Sequence, residues 1–73
     1  MVKSVYKHGT KVALGNKGDR KIDAEIDGVA IYATHIQYHV KWWTNTGKQD
    51  LWVSESDFSV PKGIRKFKIG FNL

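Results

Sequence analysis

A chain of 73 residues makes one domain at most, since a chain this short buries only about 60% of its unfolded surface around a single core. With 41% hydrophobic residues, three each of Trp, Tyr and Phe, and a net charge of +5, it has the composition of a globular domain without room for a cofactor fold beside a substrate cleft. The lack of cysteine excludes disulfides, thiolate chemistry and Cys-built zinc sites, and it fits a reducing, cytoplasmic location.

Residues 1–9 show no clear periodicity and read as a basic arm entering the domain at His8-Gly9. No apolar run there suits a signal peptide, and no stretch approaches the roughly 18 apolar residues of a membrane span. Thr10 to Leu14 is the first predicted strand, followed by a turn or loop over Gly15-Asn16-Lys17-Gly18-Asp19. Lys21 to Tyr32 is a long second strand. Its apolar positions Ile22, Ala24 and Ile26 alternate with Asp23, Glu25 and Asp27 until the alternation slips at Gly28, which predicts a bulge. Gln37 to Trp43 is the third strand, and Thr44-Asn45-Thr46-Gly47 is a hairpin loop suited to a type I turn closed by glycine. Lys48 to Val53 returns as the fourth strand. Ser54 to Asp57 suits one 3₁₀ turn capped by Ser54, after which Phe58 drops into the core. A turn at Pro61-Lys62-Gly63 leads to a fifth strand, Ile64 to Phe71.

These elements predict an all-β fold over a single domain, 1–73, with the barrel spanning residues 10–71. The predicted core is Val12, Leu14, Ile26, Ile31, Tyr38, Val40, Trp42, Val53 and Phe58.

The run Tyr38-His-Val-Lys-Trp42, a polar loop, Leu51-Trp52-Val53 and then Ser54-Glu-Ser-Asp-Phe58 resembles the SH3-like barrels of the Tudor, chromo and KOW group. Small phage and prophage proteins carry a similar Y-x-V-x-W-W hairpin. The resemblance covers about residues 10–60, and its specific part is 37–58. It implies a five-stranded SH3-like (Tudor-like) barrel with one 3₁₀ turn. A phage origin would make the location the virion or host cytoplasm. Two features depart from the group. Residues 61–73 read as a strand where a chromodomain has a helix, and GNKGDRKI does not match a KOW signature. Trp42 matches the chromo cage Trp by position, without assignable cage partners.

Catalytic and metal chemistry find little to stand on. His35 and His39 lie roughly 13 Å apart if extended, too far to share an ion, and His8 belongs to another segment. Asp23, Glu25 and Asp27 read as one solvated face, and no nucleophile elbow or phosphate loop is present. The chain is therefore read as a non-enzymatic binding module, with no cofactor, metal or small-molecule substrate.

Charge and aromatics suggest what it binds. Residues 1–21 hold six Lys or Arg against Asp19 alone, the middle is acidic, and residues 58–73 hold four with no acid. Basic ends lying side by side would form one positive patch, although scattered lysines also serve solubility. A period of two splits the tryptophans of YHVKWW, sending Trp42 inward and Trp43 outward with His39 and Lys41. In the predicted hairpin Trp43 opposes Lys48 and Trp52 lies opposite His39. Exposed Trp rings stack bases and adjacent lysines hold phosphates, so nucleic acid, DNA or RNA, is the first expectation. Its contacts would be Arg20, Lys21, Lys41, Trp43, Lys48, Trp52, Lys62, Arg65, Lys66 and Lys68. A protein partner or structural accessory role is the alternative. Packing of both rings under the chain ends would remove either.

Overall fold

The computed structural model describes residues 2–15 and 21–70. Among them the chain forms seven strands: β1 (Val2–Val5), β2 (Lys11–Leu14), β3 (Ile22–Ile31), β4 (Ile36–Thr44), β5 (Gly47–Val53), β6 (Phe58–Ser59) and β7 (Phe67–Gly70). One 3₁₀ turn, Glu55–Asp57, joins β5 to β6. No helix of the described residues is long and apolar enough to cross a membrane.

The strands form two antiparallel sheets, one of five strands in the order β5-β4-β3-β2-β6, the other a ribbon of β1 and β7. The expected single closed barrel is corrected here: β5 and β6 remain the edges of the larger sheet. The expected fifth strand is shorter and pairs with the N-terminal segment, Val5 opposite Phe67, instead of closing the sheet. Phe58–Ser59 takes the place beside β2. Residues 2–5 are therefore a strand and not an arm. Val5 is fully buried, which the mixed sequence Val2-Lys3-Ser4-Val5 conceals because only two of its positions are apolar.

Seven of the nine expected core residues are buried, joined by Val5 and Ala24. Ile31 and Trp42 are only half-buried against that core. Pairing explains both: β3 meets β4 from Ile31↔Ile36 to Glu25↔Lys41, so Ile31 sits at the last rung and Trp42 lies one residue beyond the other end.

An aromatic trio ties the ribbon to the sheet. Tyr38 meets Phe58 edge-on at 5.5 Å, and Tyr6 lies 5.8 Å from Tyr38 and 5.9 Å from Phe58. The backbone N–H of Tyr6 donates to the Tyr38 hydroxyl at 3.2 Å, which satisfies the phenol's buried oxygen. Lys66 closes the corner, with its ammonium 2.5 Å from Glu55 and 5.2 Å from the Tyr6 ring centre.

Candidate binding surface

The β4–β5 hairpin presents its outward face through His39, Lys41, Trp43, Lys48, Asp50 and Trp52, with Gly28 of β3 opposite His39. Its register is regular from Tyr38↔Val53 to Thr44↔Gly47, so Trp43 faces Lys48 and His39 faces Trp52 as the sequence predicts. Pairing runs closer to the turn than expected and leaves Asn45-Thr46 as the connection. Gly47 permits this with φ +122°, a conformation that L side chains rarely adopt.

The predicted bulge is present. Ile26 opposes Val40 and Gly28 opposes His39, so Asp27 is the extra residue. Gly28 is where Trp52 settles: a Cβ there would lie 3.5 Å from the His39 Cβ and 3.9 Å from the Trp52 Cη2. The Trp52 ring covers His39 at 5.0 Å between centroids. Trp52 is nonetheless 50% exposed, and Trp43 reaches 73%. Neither ring is packed away under the chain ends.

The electrostatics of this face differ from the basic patch expected. Lys41 lies 3.5 Å from Glu25 and 3.4 Å from Asp27, and Lys11 binds the other oxygen of Glu25 at 2.6 Å. His39 stands between Asp27 at 3.5 Å and Asp50 at 3.3 Å, with His8 also 3.5 Å from Asp27. The Lys11 hydrogen bond and charge hold the Glu25 carboxyl below its usual range, with Lys41 adding to them. Partial burial pushes Asp27 up, but the hydrogen bond and charge of Lys41, helped by Lys48 and His39, bring it below the usual value. Hydrogen bonding to Asp27 raises Lys41 in turn. The cation between the tryptophans is thus compensated, and three carboxylates share its face. The sequence alone presents Asp23, Glu25 and Asp27 as a solvated face. The missing signal was the β3–β4 register, which depends on the single extra residue at the bulge.

The ten expected contact residues fall into separate groups. Lys41, Trp43, Lys48 and Trp52 share the hairpin face, and Lys21 immediately precedes β3, outside its pairing with β4. Lys66 and Lys68 belong to the ribbon end, beyond Tyr6 and Tyr38, while Lys62 and Arg65 occupy the connection into β7. From Tyr38 to Trp43 is five residues, about 17 Å along an extended strand. β1 and β7 do lie side by side, but Lys66 is engaged with Glu55 and Tyr6. Glu55 hydrogen bonding raises its pKa. Arg20 lies outside the described residues.

Between the first residues of β3 and the end of β4 opens a small cavity of about 140 Å³, lined by Asp23, Ala24, Glu25, Lys11, Lys41, Trp42 and Trp43. A larger apolar groove of about 550 Å³ runs between Val12, Ala24, Val60 and Pro61. No group of three or more His, Cys, Asp or Glu among the described residues could hold a metal ion. Comparison with family models, curated proteins and solved structures finds no match.

Proposed function

We propose that the chain is a non-enzymatic protein-interaction module of SH3-like architecture, whose Trp43 and Trp52 face takes a segment of a protein partner. The observation that carries this reading is the ion-pair network across that face. Glu25 and Asp27 pair with Lys41 and Asp50 lies against His39, so the two exposed rings stand among carboxylates as well as cations, on a surface that offers phosphates little attraction. Exposed Trp is among the residues that carry most binding energy at protein interfaces. The SH3-like architecture is supported by the order β5-β4-β3-β2-β6, a meander whose last strand returns through a 3₁₀ turn to pair with the first.

A titration with single-stranded and duplex oligonucleotides at two salt concentrations tests the choice. On this reading Trp fluorescence stays unquenched, while a partner captured by the wild type is lost with Trp43→Ala. Quenching that weakens with salt and disappears with Trp43→Ala would overturn it.

A nucleic-acid reading retains one specific observation. Lys62, Arg65 and Lys68 are exposed in an acid-free segment and make no ion pair among the described residues. Three phosphate contacts there would give a salt slope of about −3, and Trp43→Ala would leave binding unchanged.

A further inference from the structure

The outer edge of β5 has no strand beside it among the described residues. Lys48 to Trp52 are exposed throughout, including Leu51 at 43%. Edges of this kind are usually blunted by charged side chains, a proline, a bulge or a covering loop, and β5 carries only the oppositely charged Lys48 and Asp50. β5 contains no proline, and its register with β4 has no bulge.

A row of directly opposed charges crosses the sheet toward this edge. Lys11 opposes Glu25, Glu25 opposes Lys41 and Lys41 opposes Asp50. The signs alternate across β2, β3, β4 and β5, and the row stops at Asp50 on the open edge. One rung away, Trp43 opposes Lys48, whose ammonium makes no ion pair among the described residues. One row ends on an anion and its neighbour on a cation.

We propose that β5 pairs antiparallel with β5 of a second copy, centred on Gln49, so that each copy completes both rows of the other. Directly opposed residues share a face, so a twofold axis perpendicular to the sheet must run midway between a residue and its own copy. Centring on Asp50 would set that carboxylate against itself, a destabilising like pair. Centring on Leu51 would set Asp50 against Trp52 and leave Lys48 opposite Ser54. Centring on Gln49 places Lys48 opposite Asp50 of the second copy, and Asp50 opposite its Lys48. The charge row then runs Lys11, Glu25, Lys41, Asp50 and Lys48 of the second copy without a break in alternation. Leu51 meets Gly47 of the second copy, which has no side chain to obstruct it. This contact uses the strand edge and leaves the Trp43 ring on the face.

Sedimentation equilibrium from about 1 μM to about 1 mM should show a monomer–dimer equilibrium for the wild type. Lys48→Asp and Asp50→Lys should each weaken dimerisation at least tenfold, because every cross-edge pair then joins like charges. Their equimolar mixture should dimerise again, since opposite charges face each other in both pairs, and the double swap K48D/D50K should dimerise by itself. A wild type monomeric at every concentration would overturn the proposal. So would dimers of either single variant as strong as wild type, or a mixture that stays monomeric while both variants keep the wild-type circular dichroism. Trp43→Ala separates this contact from the face above: it should leave the dimer intact even where partner capture is lost.

Discussion

The two ends of the β4–β5 hairpin share one register and one alternation yet have opposite fates. At the base, Tyr38 and Val40 are fully buried between the Tyr6–Phe58 corner and β3. At the tip, Trp42 is half-buried and Trp43 is the most exposed of the large hydrophobic side chains described. The sequence YHVKWW grows more apolar toward the end that is less covered. Alternation decides which way a side chain points, and neighbouring elements decide whether anything lies there. β3 stops pairing at Glu25↔Lys41, so the tip has only β5 beside it.

The largest way to break this contrast is at the base. Val40→Ala removes two buried methyl groups and leaves a cavity, which should cost about 2 kcal/mol in denaturant unfolding. A near-wild-type midpoint would mean that the base is no better packed than the tip. Tyr38→Phe keeps the ring and deletes the hydroxyl that accepts from the Tyr6 N–H. The loss should be about 1 kcal/mol, because a partly buried donor is left without its acceptor. Burial raises the Tyr38 pKa, against the Tyr6 hydrogen bond, so the phenol stays protonated near neutrality and the effect should not change between pH 6 and pH 8.

Much of the base was legible in the sequence. Gly28 marks the bulge, Tyr38 and Val40 mark the core face, and the hairpin partners of Trp43 and Trp52 follow from the turn position. The ribbon was less so, because Val5 joins the core through a strand whose other residues are polar or exposed. Nothing local in residues 1–9 says that β7 will lie beside them. The charge pattern on the Trp face was hidden for a related reason. Asp27 reaches His39 and Lys41 only because the bulge inserts it there, so its partners depend on the register between β3 and β4 and not on spacing within either strand.

That network sharpens the comparison through pH. Glu25 and Asp27 have folded pKa values below their ordinary 4.5 and 3.8. Their contribution to stability is therefore complete above those ordinary values and is lost as pH falls through the lowered folded ones. Lys41→Met removes the hydrogen bond and charge that outweigh the burial of Asp27. Its carboxyl should then titrate at higher pH, followed by carbon-detected NMR, and acid unfolding should begin at higher pH. An unchanged Asp27 midpoint would show that Lys41 is solvated and not paired.

The smallest expected effect belongs to the tip. Trp43 is 73% exposed and has no aromatic ring packed against it among the described residues, whereas Trp52 covers His39 and lies over Gly28. Replacing an exposed side chain away from any packed feature usually changes stability by no more than about 0.5 kcal/mol, so Trp43→Ala should melt close to wild type. Trp52→Ala should cost measurably more, because it uncovers the bulge and the His39 ring. Acrylamide quenching gives an independent reading of the same difference. With three tryptophans in the chain, the most accessible fraction of the emission should vanish with Trp43→Ala and persist in Trp52→Ala. If Trp43→Ala leaves the accessible fraction intact and lowers the melting temperature, the ring at the tip is covered. The contrast between base and tip would then be one of sequence alone.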